Sequence, residues 1–262
     1  MKRTLVLLHG AASNSTRWAE FIANTNLRRE WKLIAPDLRG NGAAAAPRTR
    51  LGMDVWCADI VKLLDAERCE RAVIGGHCLG ANIAMQFAAR HPGRVSAIVL
   101  IEPMPREAFV GSAAWLRFLR PLLCLTYGAA RALNASGIYR RTLETLDIAE
   151  WDRARRSGER KLSMLASLGV DLGATPLAAY ARMLAATAEP WPDVAAIRVP
   201  VLALISSRSS MTDPARTRRA LAALPDCDLI ELDAVHWIPT EQPDAMRSAI
   251  EDWVGRRLSS SP

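Results

Sequence analysis

The chain has 262 residues, half of them hydrophobic, and carries a formal net charge of +7. A chain of that length can bury one full hydrophobic core. No apolar run approaches the roughly 20 residues of a membrane span, so we predict a soluble, cytoplasmic domain without a membrane partner. Basic and aromatic residues do not interleave on one face, which argues against nucleic-acid binding, and the five cysteines lack the CxxC spacing of a zinc site or a disulfide framework.

Short runs rich in Val, Ile and Leu alternate with helix-length segments along the chain. Apolar residues recur at helical spacing between Trp56 and Leu64 and between Met246 and Val254, so each of these segments predicts a helix that covers one face of a sheet. The alternation predicts an α/β fold with a mostly parallel central sheet flanked by helices. The runs predicted as strands are Thr4–Leu8, Lys32–Pro36, Ala72–Gly76, Val95–Ile101, Val201–Ile205 and Asp228–Leu232.

One connection is much longer than an ordinary crossover, because the next strand after the one ending near Ile101 begins only at Val201. We predict a core made of residues 1–102 and 198–258, a helical lid inserted at 103–197, and a disordered tail at 259–262. Two amphipathic lid helices are predicted from apolar stripes, the first of them kinked at Pro121. The stripes are Trp115, Leu119, Leu122 and Leu123 in the first helix, and Leu177, Tyr180, Ala181 and Leu184 in the second.

The predicted nucleophile lies at a corner between a strand and a helix. A buried strand runs into Gly76-His77-Cys78-Leu79-Gly80 and then into an alanine-rich segment. A sharp turn of this kind leaves no room for side chains at Gly76 and Gly80 and presents residue 78 at the top of the sheet. The following helix points its N-terminus at Cys78, where partial positive charge and free N–H groups stabilise a thiolate and later an oxyanion.

This corner resembles the nucleophile elbow of the α/β-hydrolase superfamily, with sulfur in place of oxygen, and the resemblance covers essentially the whole chain. The first strand ends in His9-Gly10, which is similar to the family's HG motif. The resemblance implies that the backbone N–H groups of Ala11 and Leu79 form an oxyanion hole. His9 and His77 are then supporting residues of the motifs, together with the glycines at positions 10, 76 and 80.

Two further stretches carry the same resemblance. Residues 235–243 are similar to the family's HWxPxEQP stretch, which implies that His236 is the catalytic base. Histidine suits that role because it titrates near neutral pH. Residues 37–42 are similar to the DxRGxG loop, which implies a structural turn after the second strand.

The acid of the triad has two candidates. Most relatives place a carboxylate after the strand that here is Val201–Ile205, but this chain has serines and an arginine at residues 206–209. Glu102 follows the preceding strand, where some relatives keep their acid, and Asp213 stands just before Pro214. An Asp-Pro pair is also typical of a helix N-cap with proline at the first helical position, which would give Asp213 a structural role. We therefore prefer Glu102 as the acid and retain Asp213 as the alternative.

A cysteine nucleophile favours acyl transfer. A thiolate attacks thioesters and activated esters readily and also leaves easily. The chain resembles the polyketide and nonribosomal-peptide thioesterases and the Dieckmann-type off-loading cyclases, which implies an acyl-enzyme on Cys78 that is released by hydrolysis or by intramolecular cyclisation. The predicted substrate is a small acyl molecule of secondary metabolism, free or tethered to an acyl carrier protein or to CoA, and no cofactor is expected.

Two other functions remain open. The chain could be a small-molecule ester or lactone hydrolase, or a catalytically silent binding protein in which Cys78 is a small buried residue. The pocket that would decide between substrates is expected among lid residues and the His236 loop, with Trp115, Tyr127, Met164 and Trp237 as candidate lining residues. The sequence does not predict the oligomeric state.

Overall fold

The fold was analysed in a computed structural model that describes residues 2–44, 50–136, 146–156 and 168–258. Six parallel strands form one sheet in the order β2-β1-β3-β4-β5-β6, which confirms the predicted α/β architecture. The predicted tail at 259–262 and the predicted pocket residue Met164 lie outside the described residues. The strands are β1 Arg3–Leu8, β2 Trp31–Ile34, β3 Ala72–His77, β4 Val95–Ile101, β5 Val201–Ser206 and β6 Cys227–Leu232.

Helices connect the strands and cover both faces of the sheet. Within the described residues, none of them combines the length and the apolarity that a membrane crossing requires. The helices are α1 Ala19–Asn24, α2 Met53–Ala66, α3 Leu79–Arg90, α4 Leu116–Ser136, α5 Ile148–Arg156, α6 Leu168–Ala174, α7 Leu177–Thr187, α8 Pro214–Leu221, α9 Ile238–Glu241 and α10 Pro243–Leu258.

The hydrophobic core has two main layers, one on each face of the sheet. On one face, Trp56 and Ile60 of α2 and Phe87 of α3 pack with strand residues in a single buried cluster. On the other face, Ile250 and Trp253 of α10 pack into a second cluster. The predicted helical stripes around Trp56 and Met246 therefore do cover opposite faces, as expected for a parallel sheet that is buried on both sides.

The described residues between β4 and β5 include the helices α4 to α7, and the role of this segment as a lid stays a prediction. Most of the predicted stripe does not face the protein: Trp115, just before α4, is 65% exposed and Leu122 is 58% exposed, whereas Leu123 is half-buried. Among the side chains of α4 that the structure describes, Ala130 and Asn134 are buried, and their spacing places them on the same side as Leu123. Because α4 is apolar on more than one side, its spacing predicted an amphipathic helix without revealing which side packs on α7.

The corner after β3 depends on two glycines. A Cβ atom at Gly76 would overlap the backbone of Gly80, and a Cβ atom at Gly80 would overlap the carbonyl oxygens of Leu8 and His9. Both neighbours are backbone groups, which cannot move aside by changing a rotamer. The close approach of β1, β3 and α3 at this corner therefore requires glycine at both positions.

We expect Gly80→Ala to lower the free energy of unfolding by at least about 2 kcal/mol, since its methyl group would be forced into rigid backbone. Urea unfolding followed by circular dichroism measures this. The matched control is Gly255→Ala in α10, where an added Cβ meets nothing within 4 Å. Alanine in that exposed helical position should raise stability by about 0.5–1 kcal/mol. Equal effects at the two positions would contradict this account of the corner.

Candidate active site

Cys78 occupies the corner between β3 and α3 in a strained backbone conformation, with φ of 54° and ψ of −114°. Left-handed φ values are uncommon for residues other than glycine, and they cluster at functional sites. The Cys78 N–H donates to the carbonyl oxygen of Ile101 at 2.9 Å, and the N–H groups of Ala81 and Asn82 donate to the Cys78 carbonyl. The corner is thereby hydrogen-bonded to the end of β4 and to the first turn of α3.

His236 lies on the loop after β6 and is buried. Its Nδ1 lies 3.1 Å from Oε2 of Glu102. Cys78 lies close enough to the imidazole to raise the pKa of His236, while its thiol donates to Met104 Sδ at 3.1 Å. Because Nδ1 faces the carboxylate, Nε2 is the nitrogen left for the thiol, and the three predicted side chains lie together.

Glu102 is held in place by the serines that occupy the usual position of the acid. Its Oε1 accepts a hydrogen bond from the Ser206 N–H, and its Oε2 accepts one from Ser209 Oγ at 3.1 Å. Glu102 itself has a left-handed φ of 48°, which turns its side chain back toward the end of β5. The roles of Ser206 and Ser209 were not predicted from the sequence, although the absence of a carboxylate there was the available signal.

Asp213, the alternative acid, has a structural contact instead. Its Oδ1 accepts a hydrogen bond from the Arg216 N–H at 2.8 Å, so the side chain caps the N-terminus of α8, and Pro214 is the first residue of that helix. This is the N-cap arrangement that the Asp-Pro pair favours. Of the two candidate carboxylates, the structure places Glu102 against His236.

Two side chains outside the predicted triad fix the His236 loop. The carboxylate of Glu241 accepts hydrogen bonds from the N–H groups of Val235, His236 and Trp237, at 2.9–3.2 Å. His77 Nε2 donates to the His236 carbonyl oxygen at 3.1 Å. Glu241 belongs to the HWxPxEQP-like stretch, so the motif contained the signal for its role, whereas the contact of His77 depends on the tertiary fold.

The three buried histidines of the site differ in charge. For His236, burial alone would lower the pKa, but hydrogen bonds and charge interactions with Cys78 and Glu102 raise it to about 10. Burial lowers the pKa of His9 to about 4 and that of His77 well below its usual value. His236 is therefore protonated at neutral pH, and the other two are neutral.

Neutral His9 shapes the turn that carries one predicted oxyanion donor. Its Nε2 accepts from the Leu38 N–H at 2.9 Å, so its Nδ1 carries the proton and donates to the Gly10 carbonyl oxygen at 2.8 Å. Within the described part of the chain, the N–H groups of Ala11 and Leu79 donate to no protein acceptor. Ala11 lines the cavity beside Cys78, but Leu79 is not among the residues that line it, so the oxyanion hole stays a prediction.

A cavity of about 400 Å³ lies in front of these residues. Trp237 lines it, as predicted. The predictions for Trp115 and Tyr127 were wrong: neither lines the cavity. Trp115 points outward, and the Tyr127 hydroxyl accepts a hydrogen bond from the Leu51 N–H. The segment that connects β4 to β5 does contribute other residues to the cavity wall. They include Leu116, Ile148, Val170, Asp171, Tyr180 and Leu184.

Among the residues that the structure describes, no group of three or more His, Cys, Asp and Glu side chains could hold a metal ion.

Curated proteins resemble part of this chain. A curated relative, the 2-hydroxymuconate semialdehyde hydrolase of a Pseudomonas species, is 35% identical over 99 residues, which are 37% of this chain and 35% of that protein. The chain thus aligns with about a third of the length of the curated relatives it matches.

Solved structures extend the likeness to nearly the whole chain. A thermophilic esterase from Thermogutta terrifontis has a TM-score of 0.72 and 20% identity, over 98% of this chain and 90% of that one. The enol-lactonase from Burkholderia xenovorans has a TM-score of 0.69 and 22% identity, over 97% and 92% of the two chains. Identities this low show a common fold and no more.

A family model described as the alpha/beta hydrolase fold matches residues 3–243, which is most of the chain. The predicted superfamily is therefore confirmed, and this protein belongs to the α/β-hydrolase fold family.

Proposed function

We propose that the protein is an acyl-transferring hydrolase that forms a covalent acyl-enzyme on Cys78. The observation that carries the proposal is that Cys78 and His236 line the same cavity, with Glu102 bound to the far side of the imidazole. A histidine next to a thiol is the arrangement that activates cysteine nucleophiles in enzymes. The named relatives are hydrolases, and the proposal extends that activity to a sulfur nucleophile.

The proposed first step transfers the acyl group to sulfur. The Cys78 thiolate attacks the acyl carbon of a thioester or an ester, and the carbonyl oxygen becomes an oxyanion that accepts hydrogen bonds from the Ala11 and Leu79 N–H groups. When the tetrahedral intermediate collapses, the bond to the leaving thiol or alcohol breaks. His236 gives that leaving group its proton, with Glu102 accepting from Nδ1 and orienting the ring.

The second step releases the acyl group and restores the thiol. Neutral His236 removes a proton from water or from an internal nucleophile of the acyl chain, which attacks the thioester carbon. Sulfur then leaves as the thiolate, so the product is a free acid in hydrolysis and a ring in cyclisation. The helices between β4 and β5 form one side of the cavity, and we propose that they act as a lid that limits the access of water.

Thioesters are the proposed substrate class, because exchange between a thioester and a cysteine is close to isoenergetic. The acyl group would arrive free, on CoA or on an acyl carrier protein, as in off-loading steps of polyketide biosynthesis. The α/β-hydrolase family match over residues 3–243 is equally in keeping with a second candidate, hydrolysis of a small carboxylic ester or lactone. Comparing turnover of matched oxygen esters and thioesters separates the two, because a clear preference for oxygen esters supports the second.

We expect Cys78→Ala to abolish acyl-enzyme formation and to lower turnover by roughly a thousand-fold or more, because the nucleophile is lost. Intact-protein mass spectrometry after incubation with acyl thioesters of N-acetylcysteamine detects the adduct. The matched control is Cys124→Ala, which removes an exposed thiol outside the site and should leave the adduct unchanged. No adduct on the wild-type protein at any chain length, with ligand binding intact in Cys78→Ala, would instead support the silent binding protein.

We expect Glu102→Gln to lower kcat by roughly a hundred-fold or more, because the neutral amide no longer stabilises the imidazolium or fixes its tautomer. Steady-state kinetics measure this. Asp213→Ala serves as the comparison: it should leave kcat within about two-fold and cost about 1 kcal/mol of stability through loss of the α8 cap. If Asp213→Ala caused the larger loss of kcat, the assignment of the acid would be reversed.

The charge of His236 should make the stability of the protein depend on pH. Its pKa rises from 6.5 to about 10 on folding, so its contribution to stability is fully present below pH ~6.5 and is lost as the pH rises through about 10. We therefore expect the difference in free energy of unfolding between wild type and His236→Gln to be largest near pH ~6 and to shrink toward pH ~10. Urea unfolding at a series of pH values measures it, and a difference that stays constant across this range would refute the charge assignment.

A further inference from the structure

Asp171 lies in the wall of the cavity, and the protein provides few hydrogen-bond donors or cations to stabilise its negative charge. It lies on α6, and among the described residues that line the cavity it is the one carboxylate. Its neighbours in that wall include Val170 and Leu184, which are apolar. The site described above does not use it.

The other carboxylates near the site each have several protein partners. Glu102 contacts His236 and two serine donors, and Glu241 accepts from three backbone N–H groups. Asp152 forms a buried ion pair with Arg17 at 3.2 Å. These contacts explain why each negative charge is tolerated away from water.

The carboxylate of Asp171 has one such partner, the hydroxyl of Tyr180, which donates to Oδ2 at 3.0 Å. Within the part of the chain that the structure describes, no cation lies within ion-pair distance of it. Burial accordingly raises the pKa of Asp171 to about 6, even though the hydrogen bond from Tyr180 opposes that shift. Oδ1 remains as an acceptor without a protein donor.

A half-buried carboxylate oxygen that faces a cavity and has no protein donor is available to a hydrogen-bond donor of a ligand in that cavity. We propose that Asp171, oriented by Tyr180, binds a hydrogen-bond donor on the acyl part of the substrate, either a hydroxyl or an ammonium group. The inference deepens the proposed function and rests on it, in that the cavity is taken to hold the acyl chain. The proposed substrate is then an acyl compound that carries a hydrogen-bond donor remote from its carbonyl group.

Binding to Cys78→Ala protein tests the subsite without any turnover. The probes are butanoyl, hexanoyl and octanoyl thioesters of N-acetylcysteamine, each ending in a methyl, a hydroxyl or an ammonium group, and the Kd values are measured by calorimetry. At one chain length or more, we expect the hydroxyl or the ammonium probe to bind roughly ten-fold more tightly than the methyl probe, as a hydrogen bond to a charged group allows.

Variants at position 171, made in the same Cys78→Ala background, assign the preference to Asp171. Asp171→Leu, similar in size and apolar, should reduce the preference to about one-fold. Asp171→Asn keeps an acceptor without the charge, so it should abolish a preference for ammonium and retain part of a preference for hydroxyl. Asp252→Asn, an exposed carboxylate on α10, is the matched control and should bind every probe like its parent, while thermal unfolding confirms that each variant folds.

The outcomes separate this inference from the proposed function. If no donor-bearing probe binds better than its methyl counterpart at any chain length, or if Asp171→Leu and Asp171→Asn keep the preference, the subsite is refuted. The adduct on Cys78 of the wild-type protein is measured independently with the methyl probes. Acyl transfer can therefore be supported when the subsite is refuted, and the subsite can be supported when no acyl adduct forms.

Discussion

The parallel register of β3, β4 and β5 is the constraint on which the site depends. His77 at the end of β3 pairs with Ile101 at the end of β4, so Cys78 and Glu102 both follow directly from adjacent strands. The Cys78 N–H donates to Ile101, and the Glu102 N–H donates to Leu204 of β5. Because parallel strands end at the same edge of a sheet, nucleophile and acid are brought together by backbone hydrogen bonds before any side-chain contact forms.

Burial lowers the pKa of all three histidines, and their partners decide whether that effect is overcome. For His9 the charge of Asp37 raises the pKa by less than burial lowers it, and His77 donates to a backbone carbonyl oxygen. His236 lies between a carboxylate and a thiol, and these partners outweigh desolvation. The same apolar surroundings therefore keep two imidazoles neutral as structural links and hold the third as a cation next to sulfur.

The contacts of Glu102 show how a carboxylate can serve from β4 when the loop after β5 lacks one. Ser206 and Ser209, which stand where most relatives were expected to have the acid, donate to both oxygens of Glu102. Two donors and an imidazolium together satisfy a charge that would otherwise be costly to bury. The loop after β5 thus contributes hydrogen bonds to the acid instead of the acid itself. Asp171, the carboxylate among the described residues that line the cavity, has no comparable set of donors.

The sequence by itself predicted the fold class and the corner at Cys78, because strand and helix periodicity and glycines at a tight turn are local rules. The roles of His236 and Glu102 were predicted from resemblance to a known family. Local rules also predicted the cap at Asp213. Only the tertiary structure decided which residues line the cavity, since α4 is apolar on several sides and its spacing could not show that Trp115 faces outward while Leu116 faces inward. Contacts between distant segments, such as His77 with the His236 carbonyl or Tyr180 with Asp171, arise from how the layers pack, and packing leaves no periodic signal in the chain.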